Sequence, residues 1–334
     1  MGYLVRLAFM IGAAALFTAC GNGIQPSGPS ELPPGVAAPR PNADAPLLSR
    51  RARKPTHWMS DRAGARHRSK IIYVSDAYDG SVEAYDYKTG SLLGAASGFG
   101  LPYGLCSDTR GNVYATDFYA NVYEIKARTT TVIKSWNTGG SPIGCSVNPV
   151  NGDLAVTDFA NVDGPCGPGG VYIIPRGSSR GTLYKGPGYE DWPAGYDDHG
   201  NLYLECNECG SPWGPNLAEL STKSGSFTFI NISGATLHSP GGVEWDGKHL
   251  GLDDQECSSS TLCIYQTTVS GSTAQVLNTV QFSCPSGHPS FLQWAEVARH
   301  PNGQTKSPAK EAAAGAYGCG SSQTTMSVWS YIIE

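Results

Sequence analysis

The chain is short of charge and of the signatures that mark most enzymes. Asp, Glu, Lys and Arg make up 15% of its 334 residues, against roughly 25% in an ordinary globular domain. No HExxH, P-loop, nucleophile elbow or paired CxxC spacing occurs, so zinc peptidase, NTPase, α/β-hydrolase and zinc-ribbon chemistry have no carrier. No stretch beyond the first twenty residues keeps a helical apolar period, which sets aside helical bundles and α/β layers. The one uncharged apolar run, Leu7–Ala19, is too short for a permanent membrane helix.

That run follows a single basic residue, Arg6, and ends in Leu16-Phe17-Thr18-Ala19-Cys20. A basic start, a short apolar core and small residues at its end form a secretory signal. The ending resembles the lipobox of bacterial lipoproteins, with Phe17 where an aliphatic residue is usual. The resemblance implies a signal peptide over residues 1–19, lipid on Cys20 and a membrane as partner, the outer membrane or cell surface in a cell with two, since Gly21 rather than Asp follows. Residues 20–54 are rich in Pro, Gly, Ala and Ser without periodicity; such composition cannot offset the entropy of folding and reads as a disordered tether. Residues 21–70 carry nine Lys plus Arg against three Asp plus Glu, and residues 71–334 carry thirteen against twenty-five. A basic leash of net +6 therefore holds an acidic body of net −12, which suits an anionic membrane surface at one end and excludes nucleic acid as the body's partner.

Ten cysteines in an exported chain imply an oxidising compartment with disulfides. Cys257 and Cys263 bracket one loop and are the expected pair. Cys206-Asn207-Glu208-Cys209 reads as a further disulfide more readily than as a metal or redox site, and Cys166 falls in a similar loop. Cys106 and Cys145 occupy matching repeat positions and are expected as unpaired, buried packing residues.

The dominant signal is an internal repeat. Pro102-Tyr103-Gly104 leads to Asn112–Asp117, Pro142-Ile143-Gly144 to Asp153–Asp158, Pro193-Ala194-Gly195 to Asn201–Cys206, and Pro240-Gly241-Gly242 to His249–Asp254. Each copy holds an apolar strand, a tight turn and a second strand, then a third such as Asn121–Ile125 and a fourth such as Thr131–Trp136. Four antiparallel strands per ~45 residues make a propeller blade. Second strands start near Ile71, Asn112, Asp153, Asn201, His249 and Ala312, which predicts an all-β, six-bladed β-propeller of four-stranded antiparallel blades over residues 55–334, five and seven blades being the alternatives. Residues 55–61 are expected as the innermost strand of the first blade, and Ser327–Ile333 as a third strand of the last.

The repeat form, Pro-x-Gly, apolar residues, Asp, Gly-Asn, apolar-Tyr-apolar and Thr-Asp, resembles the NHL repeat and the SMP-30/gluconolactonase-like and virginiamycin B lyase-like propellers, over about 280 residues. The resemblance implies the fold and leaves activity open, because propellers host unrelated functions. The gluconolactonase-like members hold a divalent cation with Glu, Asn and Asp; that set does not map residue by residue onto this chain.

Loops after the second strands vary in length while turns before them are short and alike, so the loop-rich face is the expected working face. It gathers Tyr78, Tyr103, Asp117, Tyr119, Asp158, Trp192, His238, Asp254 and His288 as candidate ligand contacts. Acid beside aromatic rings suits a cation, a cationic peptide or a sugar. The repeated Asp76, Asp117, Asp158 and Asp254 equally suit acceptance of loop N–H bonds. His238 and His288 each stand just before an inner-strand proline and are the candidate metal ligands, with a divalent cation such as calcium as the one cofactor suggested. The favoured reading is a monomeric propeller that binds a small molecule, saccharide or protein without catalysis. The competing one is a divalent-metal hydrolase or lyase on the same face.

Overall fold

A computed structural model describes residues 56–59, 71–77, 79–87, 89–160, 168–209, 214–258, 261–283, 292–297, 312–316 and 328–333. Cys20, Tyr78, Cys166 and His288, with the signal peptide and tether, lie outside the described residues.

The described residues are all β, with no helix. The first sheet holds β1 (Thr56–Met59), β2 (Ile71–Asp76), β3 (Ser81–Asp86) and β4 (Leu92–Ser97); the second β5 (Pro102–Ser107), β6 (Val113–Asp117), β7 (Asn121–Ile125) and β8 (Val132–Asn137). The third holds β9 (Pro142–Val147), β10 (Leu154–Asp158), β11 (Gly170–Ile174) and β12 (Thr182–Lys185). The fourth unit comprises β13 (Glu190–Asp191), β14 (Gly195–Tyr196), β15 (Leu202–Cys209), β16 (Gly214–Ser221) and β17 (Ser226–Ser233), and the fifth β18 (Pro240–Trp245), β19 (Leu250–Ser258), β20 (Thr261–Ser270) and β21 (Thr273–Ser283). Last come β22 (Leu292–Val297), β23 (Ala312–Ala316) and β24 (Val328–Ile333).

Within each unit neighbouring strands pair in antiparallel meanders, as the repeat predicted. Second strands such as β6 and β10 are buried at every residue, whereas the outer β8 alternates between covered and open positions. Inner strands are sandwiched between neighbouring sheets on both faces; outer strands diverge toward solvent. The core is accordingly divided between adjacent sheets, for example Val122, Cys145, Leu154 and Val156 between the second and third, and Tyr203, Leu217, Val243 and Leu252 between the fourth and fifth.

The Pro-x-Gly glycines have a steric cause. A Cβ on Gly104 would lie 2.5 Å from the Ile143 carbonyl oxygen of the next inner strand, and one on Gly195 2.4 Å from that of Val243. No real Cβ survives such an approach to backbone, so glycine sets how closely the inner strands pack. Hydrogen bonds cross the same seams: Ser75 Oγ donates to Tyr103 O (2.6 Å), Ala194 N–H to Thr157 Oγ1 (2.9 Å) and Val243 N–H to Pro193 O (2.9 Å). The innermost strands touch in cyclic order, β24 to β5, β9, β14, β18, β22 and back to β24. The curled sheets are thus arranged as in a β-propeller.

Four expectations are corrected. Residues 56–59 pair with β4, at the outer edge of the first sheet, and the innermost place beside β2 is taken by β24 at the chain's other end. Residues 328–333 are therefore the inner strand of the first sheet rather than a third strand of the last. Cys106 and Cys145 are not unpaired: they form a disulfide joining β5 to β9 (Cα–Cα 5.6 Å), because matching positions on adjacent inner strands face each other. The fourth and fifth units are not separate blades at their rims, since β17 pairs in parallel with β21 (Asn231–Ser233 with Thr273–Gln275) into one continuous sheet. Cys206–Cys209 and Cys257–Cys263 are disulfides as expected.

Candidate functional site

The site is built on a repeated structural bond. At the end of β6, Asp117 accepts the N–H groups of Gly100 (2.8 Å) and Leu101 (2.9 Å), which lead into β5. Midway along β19, Asp254 does the same for His238 (3.1 Å) and Ser239 (3.0 Å), which lead into β18. The carboxylate replaces ladder bonds where the inner strand begins. The residue two places before the inner-strand proline is Gly100, Gly140, Asp191 and His238 in successive units. In the fifth unit an imidazole thus stands where the second and third carry glycine.

That imidazole is oriented by the acid beneath it. His238 Nδ1 lies 3.1 Å from Asp254 Oδ2, which also accepts the Tyr265 hydroxyl (3.2 Å), while Oδ1 takes the Glu256 N–H (3.1 Å). The Asp254 side chain is 0% exposed and that of His238 51% exposed. A carboxylate accepting several donors favours the tautomer with hydrogen on Nδ1, leaving the Nε2 lone pair outward. Such a nitrogen can accept a proton from a ligand hydroxyl or ammonium, or bind a metal.

The aromatic candidates flank other units. Tyr103 and Phe118 approach at 5.8 Å between centroids and Phe118 meets Tyr119 edge-on at 6.4 Å, with Tyr119 45% exposed. Trp192 meets Phe159 edge-on at 5.4 Å, and its indole N–H is buried without a partner. The structure thus brings His238 together with Asp254, and Tyr103 with Tyr119, while Trp192 stands on the fourth unit.

Asp117 is buried and spent on backbone donors. Asp158 differs: among the described residues Oδ1 accepts only the Thr138 hydroxyl (2.7 Å) and Oδ2 has no partner, and burial, partly offset by that hydroxyl, pushes its pKa up to about 7. Asp191 and Glu205 are both fully buried, and burial raises the pKa of each well above its ordinary value. Glu205 Oε2 accepts the Gly241 and Gly242 N–H groups (2.9 Å each), Oε1 has no partner, and the charges of Asp253 and Asp254 raise its pKa further. Sequence reasoning missed Tyr265; its signal was its place in β20 beside the β19 strand that carries Asp254.

Among the described residues, three ligand atoms come within 4.8 Å of one another only at Asp197, Asp198 and His199. These lie in a tight turn on the opposite face, where Asp197 Oδ1 already accepts the His199 and Asn201 N–H groups (2.9 and 2.8 Å). No metal set of three forms around His238 among the described residues.

No protein-family model and no curated protein matches the chain. Solved structures with similar folds include hydrazine synthase of Kuenenia stuttgartiensis (15% identity, TM-score 0.49, covering 70% of this chain and 68% of that one). Others are a functionally unknown protein of Desulfotomaculum acetoxidans DSM 771 (12%, 0.46, 63% and 65%) and the RRP9 WD40 repeats (10%, 0.47, 62% and 63%). Likenesses this distant transfer no chemistry.

Proposed function

We propose that this chain is an exported, lipid-anchored, six-bladed propeller that binds a small ligand, a saccharide or organic cation, on the face where Asp254 of β19 meets the segment leading into β18. The observation that carries the reading is the half-exposed His238 imidazole held by fully buried Asp254. An orienting acid with five donors is more than a surface histidine needs for solubility; it fixes a single hydrogen-bonding edge toward solvent. Exposed Tyr119 and the acidic body supply stacking and attraction for a sugar or cation. Export rests on Arg6–Cys20, and three disulfides agree with an oxidising compartment. The repeat spacing and six inner strands in cyclic contact support the reading of six units.

A second reading has an observation of its own: an Asp-oriented histidine is also how a general base or a metal-bound imidazole is prepared, which would suit a hydrolase or lyase with His288 as a further ligand. Elemental analysis of the purified protein, followed by thermal-shift screening of saccharides and polyamines with and without chelator, separates the two. A ligand response that ignores chelator supports binding. Stoichiometric metal, with a response abolished by chelator, supports the metal enzyme.

A further inference from the structure

The longest charge-poor stretch of the body ends in an open sheet edge. From Cys257 to Ala295 the chain carries no Asp, Glu, Lys or Arg, and β20 and β21 form a long hairpin inside it. β17 covers the outer edge of β21 only at Thr273–Gln275; among the described residues no strand pairs with that edge from Val276 to Ser283. Leu277, Asn278, Thr279, Val280 and Gln281 are all exposed, Leu277 at 54% and Val280 at 43%. The rims of the first three sheets are protected: β4 is covered by β1, β8 is six residues long and carries Lys134, and β12 is four residues long and ends in Lys185. A long, uncharged, proline-free edge is what solitary proteins avoid.

We infer that this edge is an interface between two copies of the chain, β21 pairing antiparallel with its counterpart across a two-fold axis, in place of the monomer expected from sequence. An antiparallel strand pair is its own mirror in sequence order, so one strand completes the contact with itself. Charge selects the location. The body carries net −12, and a two-fold contact brings any net charge of the patch against a second copy of the same net charge, so two copies meet most easily where the patch has none. Asp254, Cys263 and Gln281 lie on one rung of β19, β20 and β21, which places the edge about 10 Å from Asp254 at the ordinary strand spacing. The dimer therefore sets two candidate sites side by side.

The test is sedimentation of the full chain, detergent-solubilised, over a hundredfold concentration range, with hydrogen–deuterium exchange at the lowest and highest concentration. Expected are a monomer–dimer equilibrium, protection of the 276–283 amides that grows with concentration, and a dissociation constant raised about tenfold or more by Leu277→Lys with Val280→Lys, since like charges oppose across the new pair. Both side chains are exposed, so the melting temperature should hold; if the double variant misfolds, concentration-dependent exchange in the wild-type chain decides alone. A monomer throughout the range overturns the inference, as do protection independent of concentration, meaning that another segment of the chain covers the edge, and a dimer unaffected by the two lysines with exposed 276–283 amides.

Discussion

Asp158 offers a prediction whose size follows from its surroundings. It is fully buried, one oxygen meets only the Thr138 hydroxyl, and Gly140 packs so tightly that a Cβ there would lie 2.6 Å from the Asp158 carboxyl carbon. Burial, partly offset by the Thr138 hydroxyl, lifts its pKa from 3.8 to about 7. The native state then keeps this proton over a range in which the unfolded chain has lost it. Stability is full below about pH 4, falls by up to about 1.4 kcal/mol per pH unit toward pH 7, and levels above, a total of about 4 kcal/mol. Asp158→Asn keeps the shape and the acceptor for Thr138 but cannot ionise. Urea unfolding of both proteins between pH 4 and pH 8 gives the comparison, in which the other buried acids, Asp191 and Glu205, cancel. The stability of the variant minus that of wild type should rise by about 4 kcal/mol from pH 4 to pH 8. A rise under about 1 kcal/mol would refute the reasoning, since Asp158 would then ionise as readily folded as unfolded.

Three further outcomes follow. Replacing Cys106 and Cys145 by alanine opens a 39-residue separation and should cost about 4 kcal/mol by chain entropy, read as a drop in the denaturation midpoint, while unreduced peptide mapping of wild type should recover the linked pair. Gly104→Ala should destabilise by about 3 kcal/mol or more, because its methyl meets backbone rather than a movable side chain; an unchanged melting temperature would mean the inner strands are not so closely set. Cys20→Ala should move the protein from the membrane fraction to the soluble one, and retention in the membrane would remove the lipid anchor.

The repeat was legible because its residues answer to sterics. Gly104 and Gly195 permit inner-strand contact, and each scaffold turn closes on a left-handed glycine, as at Gly111 and Gly200 (φ 82° and 84°). Ring closure was not, since Thr56–Met59 and Val328–Ile333 are short strands whose composition does not distinguish inner from outer places. The Cys106–Cys145 bridge was legible and misread: equal positions in adjacent repeats are apposed positions. The rim junction of β17 and β21 left only a length signal, eight and eleven residues against six in each of β4 and β8. His238 and Asp254 were each found from the repeat, yet their partnership spans sixteen residues and becomes visible only once Asp117 and Gly100 show which two positions the fold superposes.

The claim that His238 anchors a ligand on this face is tested most directly by thermal-shift titration of wild type, His238→Gln and a control on the opposite face, Asp198→Asn, with the saccharide or polyamine that most stabilises wild type in the screen. The account predicts that His238→Gln lowers affinity about tenfold or more, the loss of a hydrogen bond to an oriented partner, with Asp198→Asn unchanged. Equal affinity in wild type and His238→Gln, or a loss confined to Asp198→Asn, would contradict it.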